Sequence, residues 1–187
     1  MNSEVYKQIC TELETQRING NPYWSADPQT VEVIISFIKR VPHVRVLEVG
    51  CSNGHTALRL VPSLLGVGGS LVTIESHRAR GEVAEKNFER AEVKNIITLV
   101  RGHAPEIFGE LLGMFDVVFL DATKCEHVSY VEQLFPLLSP RAIIMADNVF
   151  SHGESMKPFV YFMQSLSNFS VEIKDIGTGL LVAQKRV

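Results

Sequence analysis

The chain has 187 residues, of which 45% are hydrophobic and 21% charged, and its formal net charge is −3. These values are typical of a globular protein of one domain, residues 1–187, and they argue against nucleic acid or an anionic membrane surface as a partner. Its apolar runs fall short of the roughly 20 residues of a membrane span, and its first residues do not resemble a secretory signal. Cys10, Cys51 and Cys125 form no C-x-x-C pair, so we expect reduced thiols in a cytoplasmic protein.

Short apolar runs alternate with amphipathic segments after an N-terminal helix and lid-like loop in residues 1–27. The apolar runs predict strands at 44–49, 70–75, 96–100, 116–120, 142–146, 171–175 and 180–183. Helices are predicted at 28–40, 56–65, 78–91, 128–138 and 157–167. Such alternation predicts a Rossmann-like, doubly wound α/β sheet of seven mostly parallel strands, with helices on both faces. Only residues 176–179 join the last two strands, so the final strand should run antiparallel.

Four of the predicted strands end in, or close to, an acidic residue. These residues are Glu48, Glu75, Asp121 and Asp147. Sheets of this class bind ligands beyond the carboxyl ends of their strands, where the strand order reverses. We therefore expect the four acids to lie along one edge of the sheet and to face one crevice.

The stretch VLEVGCSNGHTAL combines a strand, a glycine loop and the start of a helix. Gly50 and Gly54 permit a tight turn and a close approach to a ligand. A carboxylate at Glu48 disfavours a pyrophosphate but suits the cationic cofactor S-adenosylmethionine (SAM), and Glu75 is placed to accept hydrogen bonds from ribose hydroxyls. The alternative is an ordinary helix-entry turn, with Glu75 as a helix cap.

A second group of polar residues follows the fourth and fifth strands. Asp121, Asp147 and Asn148 offer hard oxygen ligands, which suit a divalent ion, Mg²⁺ foremost, with Ca²⁺ or Mn²⁺ as alternatives. Lys124 lies three residues after Asp121, and a nearby dication would disfavour its protonated form, making it a candidate general base. The alternative is a helix cap, an Asx-turn and a solvated lysine.

These motifs together resemble the cation-dependent class I SAM O-methyltransferases, the family that includes the caffeoyl-CoA and catechol O-methyltransferases. The likeness covers roughly residues 22–186 and rests on VLEVGCSNGHTAL, LVTIESHRAR, RGHAPEIF, FDVVFLDATK, AIIMADNVFSHG and GTGLLVAQKR. The resemblance implies a cofactor site formed by Glu48, Gly50, Ser52, Gly54, Thr56, Glu75, Ser76, Gly102, His103, Ala104 and Asp121. It implies that Asp121, Asp147 and Asn148 hold the metal and that Lys124 is the base. Lys124, Asp121 and Asn148 form the expected catalytic set.

The expected acceptor is a small phenolic or catechol-like molecule, and a homodimer is expected from the same resemblance. Ser151 and His152 are candidates to line the acceptor site. Tyr23 and Trp24, which precede the first long helix, are expected to be packing residues, with a substrate lid as the alternative. The functional alternatives are a metal-independent SAM methyltransferase acting on another nucleophile and a non-catalytic SAM-binding protein. A nicotinamide-dependent dehydrogenase is disfavoured by the G-x-x-x-G spacing and by Glu48.

Overall fold

Helices and strands alternate through the computed structural model, which describes residues 2–20 and 23–186. The helices are α1 (Ser3–Ile18), α2 (Pro28–Ile38), α3 (His55–Val67), α4 (Arg78–Arg90), α5 (Ala104–Ile107), α6 (His127–Leu134) and α7 (Gly153–Ser165). The strands are β1 (Arg45–Val49), β2 (Ser70–Glu75), β3 (Ile97–Arg101), β4 (Phe115–Leu120), β5 (Leu138–Ala146), β6 (Phe169–Lys174) and β7 (Leu180–Lys185). The predicted N-terminal loop includes residues 21 and 22, which lie outside the described residues.

Within the described residues, seven strands form one sheet in the order β3-β2-β1-β4-β5-β7-β6. The pairs among β1 to β5 are parallel, and β7 is antiparallel to both of its neighbours. The predicted fold class and the reversed last strand are therefore confirmed. The strand order reverses between β1 and β4, so the ligand crevice is expected beyond the ends of these two strands.

Alternate residues of the central strands supply two apolar layers, one on each face of the sheet. Val46 and Val117 belong to the layer that packs against α1 to α4, whereas Leu47 and Val118 belong to the layer that packs against α5 to α7. All four side chains are fully buried. Burial of each such side chain contributes roughly 1.5–3 kcal/mol, so the sheet provides a rigid base for the loops at its edge.

Several predicted boundaries differ from the structure. The helix predicted at 128–138 ends at Leu134, because a 3-10 turn with Pro136 follows (Phe135–Leu137) and β5 begins directly after it. The helix predicted to begin at 157 begins at Gly153 and accommodates Pro158 within its length. Asp27 does cap α2 as predicted, since its Oδ1 accepts a hydrogen bond of 2.8 Å from the Gln29 amide.

Candidate active site

A cleft of about 800 Å³ opens beyond the carboxyl ends of β1, β2, β4 and β5. Of the predicted site residues, the cleft is lined by Gly50, Ser52, Glu75, Ser76, Gly102, His103, Ala104, Asp121, Lys124, Asp147 and Asn148. Ser151 and His152 also line it. The parallel strands thus bring residues nearly 100 positions apart in sequence to one site.

Glu48, Gly54 and Thr56 are not among the cleft-lining residues. Gly54 begins α3 with a positive φ of 84° and packs against the ring of Phe88. The Thr56 hydroxyl accepts a hydrogen bond of 3.4 Å from the Ala26 amide. Gly54 and Thr56 therefore contact other parts of the protein, and neither of them lines the cleft.

Glu48 is completely buried in β1. Its Oε2 accepts a 2.5 Å hydrogen bond from the Thr73 hydroxyl, and its Oε1 has no hydrogen-bond partner among residues 2–20 and 23–186. Burial raises the pKa of this carboxyl to about 8, and the negative charges of Asp121 and Glu75 add to the rise. Without a ligand Glu48 is therefore largely protonated at neutral pH, which differs from the carboxylate assumed in the sequence argument.

Gly50 marks the point where the β1 loop crosses the end of β4. Its φ is +105°, and a Cβ at this position would clash with the backbone carbonyl of Asp121. The Gly50 amide donates a 3.0 Å hydrogen bond to the carbonyl of Ile74 in β2. Glycine is therefore required for this close approach of the β1 loop to the end of β4.

Glu75 receives two backbone hydrogen bonds at the end of β2. The amides of Ser52 and His77 each donate a bond of 2.7 Å to its carboxylate. Ser52 adopts a left-handed φ of 52°, which turns its amide towards β2. Glu75 thus does not cap α4, since His77 fills that position, and its carboxylate, which lines the cleft, has capacity to accept further hydrogen bonds.

Lys124 and Asp121 form an ion pair inside the cleft. The Lys124 Nζ donates to Asp121 Oδ1 at 2.8 Å, and the two side chains are only 13% and 16% exposed. Lys124 begins a 3-10 turn (Lys124–Glu126) directly before α6. The lysine is therefore not the solvated loop residue of the alternative interpretation.

Asp147 and Asn148 directly follow β5, and Asp121 directly follows its neighbour β4. Asp147 is 3% exposed, and burial raises the pKa of its carboxyl, with the charge of Asp121 as the next cause. Asn148 adopts a left-handed φ of 69°, a conformation that asparagine tolerates better than most residues. The negative charge of Asp121 beside the buried Asp147 carboxyl favours a positive charge close to this pair.

Thr178, in the turn between β6 and β7, contacts both Asp147 and Asn148. It was not predicted as a site residue. Its hydroxyl donates to Asp147 Oδ1 at 2.9 Å and accepts a 2.9 Å bond from Asn148 Nδ2. The GTG motif that contains Thr178 was noted for its family resemblance, but spacing alone does not link it to a residue 30 positions earlier.

Hydrogen bonds engage all three of the predicted metal ligands. Lys124 occupies Asp121 Oδ1 and Thr178 occupies Asp147 Oδ1, while the amide nitrogen of Asn148 is also engaged. The described part of the chain contains no cluster of three or more His, Cys, Asp or Glu side chains placed for a metal. Two carboxylates and one amide carbonyl are the kinds of ligand that a hard divalent ion takes.

A hydrogen-bonded chain links His103, which follows β3, to Tyr130 in α6 through Glu126. His103 Nε2 lies 3.0 Å from Glu126 Oε2, and the Tyr130 hydroxyl donates to the same oxygen at 2.6 Å. The bond from Tyr130 is the main cause that lowers the pKa of Glu126, and His103 adds to it. Glu126 and Tyr130 were missed by the sequence analysis, because neither belongs to a recognisable motif.

The N-terminal segment forms one rim of the cleft. Tyr23, Trp24, Ser25 and Asp27 line it. Trp24 is 75% exposed, and the guanidinium of Arg80 lies 5.1 Å from the centre of its ring. The expectation that Trp24 is a packing residue is therefore wrong, since the exposed indole instead stacks with a cation at the cleft mouth.

Comparison with protein families gives a match over most of the chain. A profile described as O-methyltransferase matches residues 10–172. A catechol O-methyltransferase of Mycobacterium tuberculosis is 36% identical over 110 residues, 58% of this chain and 50% of the relative. A catechol O-methyltransferase of Niastella koreensis is 28% identical over 139 residues, 72% of this chain and 62% of the relative. The chain thus matches about half to three-fifths of the length of these relatives.

Solved structures share the fold. The O-methyltransferase TomG from Streptomyces achromogenes, in complex with SAM, superposes with a TM-score of 0.82 at 22% identity, over 100% of this chain and 92% of TomG. An O-methyltransferase from Bacillus cereus, in complex with SAH, gives a TM-score of 0.82 at 21% identity, over 100% and 92% of the two chains.

In residues 2–20 and 23–186, no helix has the length and apolar character needed to cross a membrane.

Proposed function

The chain belongs to the O-methyltransferase family, and on that premise we propose that it moves the methyl group of SAM to a hydroxyl of a small phenolic or catechol-like acceptor. The observation that carries the proposal is the grouping of Asp121, Lys124, Asp147 and Asn148 in the same cleft as Glu75. A generic SAM-binding site needs Glu75 and the glycine loop but not the other four residues.

The cofactor side of the cleft is proposed to hold SAM between Gly50, Glu75 and the segment Gly102–Ala104. Glu75 would accept hydrogen bonds from the ribose hydroxyls, and Gly50 lines the cleft beside it. The SAM and SAH complexes of the two structural neighbours support this choice of cofactor.

Lys124 is proposed as the general base. Once the Lys124 ammonium has given up a proton, its amine takes the proton of the acceptor hydroxyl, the oxygen forms a bond to the SAM methyl carbon, and the sulfur–methyl bond breaks with its electron pair moving to sulfur. Asp121, Asp147 and Asn148 would hold a divalent ion, which when bound supplies positive charge that favours an ionised acceptor hydroxyl. The ion pair with Asp121 holds the Lys124 side chain within the cleft.

The acceptor class is proposed from the relatives named catechol O-methyltransferase. Ser151 and His152 line the cleft just beyond Asn148, and we propose that they contact the acceptor.

Cys10, Cys51 and Cys125 are free thiols, which supports a reducing, cytoplasmic setting. A homodimer is proposed from the family resemblance, and light scattering at several protein concentrations tests it.

Metal-independent transfer is the second candidate, because the Lys124–Asp121 ion pair already neutralises one of the two carboxylates. The test incubates the protein with SAM and a panel of catechols and monophenols, with Mg²⁺ or with a chelator, and measures SAH and methylated product by mass spectrometry. Product that requires Mg²⁺ supports the first candidate, and equal turnover in chelator supports the second. SAH binding without turnover on any acceptor would leave a non-catalytic SAM-binding protein.

A further inference from the structure

The Thr178 hydroxyl lies between the two polar residues that follow β5. It has one proton, which is donated to Asp147 Oδ1. Its oxygen must therefore act as the acceptor towards Asn148, and the group that approaches it at 2.9 Å must be the Asn148 amide N–H. One hydroxyl thus determines which way the Asn148 side chain is turned, and Oδ1 is the end that remains available.

The fold delivers this hydroxyl through the reversed strand. β7 lies beside β5, and the turn before β7 receives backbone bonds from the loop after β5: Val149 N to Gly179 O, and Phe150 N and Ser151 N to Thr178 O. These bonds use backbone atoms and persist with any side chain at position 178. The contribution of the hydroxyl is therefore separable from that of the turn.

We propose that Thr178 is a positioning residue that orients Asp147 and Asn148 as cation ligands. The inference rests on the proposed function, because it takes these two residues as part of the cation site. Groups that hydrogen-bond to metal ligands fix the ligands' orientation, and their loss weakens metal binding.

Loss of the hydroxyl has a specific structural consequence. Without the acceptor at Thr178, the Asn148 amide is free to rotate and to present its N–H groups to the cation, and an amide N–H is not a metal ligand. Asp147 Oδ1 simultaneously loses its hydrogen-bond donor. Valine has nearly the same shape as threonine, so Thr178→Val removes the hydroxyl with little change in volume, whereas Thr178→Ser keeps it.

The test measures the affinity for Mn²⁺ by electron paramagnetic resonance, and the affinity for SAH by calorimetry, in the wild type and both variants. We expect Thr178→Val to weaken Mn²⁺ binding roughly 10- to 100-fold and Thr178→Ser to remain within about threefold of the wild type. SAH affinity should be the same in all three proteins, because Glu75 and Gly50 lie on the other side of the cleft.

Three results overturn the inference. Mn²⁺ affinity that is unchanged in Thr178→Val shows that the hydroxyl does not position the ligands, and leaves the proposed function intact. Equal losses in the valine and serine variants, or a parallel loss of SAH affinity, indicate a general disturbance of the turn. If the wild type binds no Mn²⁺, both this inference and the cation in the proposed function are wrong. An assay of methyl transfer in the presence of a chelator then shows whether the protein is still a methyltransferase.

Discussion

Lys124 Nζ and Asp121 Oδ1 lie 2.8 Å apart, so the candidate base is in contact with the first candidate metal ligand. Replacing Lys124 by Met removes both the proton acceptor and the ion pair, whereas Lys124→Arg keeps the positive charge but does not release a proton near neutral pH. We expect both variants to lower kcat by at least about 100-fold. Steady-state kinetics on the best acceptor measure this loss.

The arginine variant is the matched control in this comparison. If Lys124 only pairs with Asp121, Lys124→Arg should retain most of the activity, and that outcome contradicts a role as general base. SAH affinity, measured by calorimetry, should stay near the wild-type value in both variants, because the cofactor contacts do not include the ammonium group.

Gly50→Ala should damage both the fold and the cofactor site. The added Cβ meets the backbone carbonyl of Asp121 at a position where φ is +105°, so we expect a loss of roughly 2–4 kcal/mol in the free energy of unfolding and weaker SAH binding. Urea denaturation and calorimetry measure the two effects.

Gly66→Ala provides the control for that substitution. Gly66 lies in α3, and a Cβ built there has nothing within 4 Å. This variant should be unchanged or up to about 1 kcal/mol more stable, since alanine favours the helix. Equal stability of the two variants would contradict the proposed close contact between the β1 loop and the end of β4.

Glu48 should make the protein less stable as the pH rises. The folded carboxyl has a pKa of about 8, whereas the unfolded one has its ordinary value of 4.5. Between these values the unfolded chain has released a proton that the folded chain retains, so this group lowers the free energy of unfolding by about 1.4 kcal/mol per pH unit. Glu48→Gln cannot ionise and should lack this slope.

The measurement is urea denaturation of the cofactor-free protein at pH 5.5, 6.5 and 7.5. The stability of Glu48→Gln relative to the wild type should grow across this series. Parallel curves for the two proteins would mean that the carboxyl is already ionised in the folded state, as the sequence argument assumed.

His127 should make the protein less stable as the pH falls, which is the opposite of the effect of Glu48. The side chain is fully buried against Tyr130 and Phe159, and its ring nitrogens have no hydrogen-bond partner among the residues described. Burial lowers its pKa from 6.5 to about 3, and the charge of Lys124 adds to this. Below pH 6.5 the unfolded chain takes up a proton that the folded chain does not, so stability falls as the pH falls towards 3.

His127→Phe should remove this loss while keeping the aromatic contacts. Thermal unfolding at pH 7.5, 6 and 5 should show the difference between the variant and the wild type moving in favour of the variant as the pH decreases. A constant difference over the series would contradict a neutral buried imidazole, whatever the size of the difference itself.

The fold and much of the cleft were predictable because they depend on repeating or local patterns. Apolar runs that end in Asp121 and Asp147 predict parallel strands, and parallel strands place their carboxyl ends at one edge. Thr178 and Glu126 were not predictable in the same way, because their roles come from bonds between segments that are 20 to 30 residues apart. Glu48 was placed in the right part of the sheet, but its protonation depends on burial and on neighbouring charges.

The reversed last strand also has a consequence for biosynthesis. Asp147 and Asn148 are translated 31 and 30 residues before Thr178, the residue whose hydroxyl holds them. A nascent chain that has just emerged through residue 150 already contains Gly50, Glu75 and both strand-end aspartates. On the ribosome the cofactor half of the cleft is therefore complete in sequence before Thr178, which is hydrogen-bonded to Asp147 and Asn148, has been added.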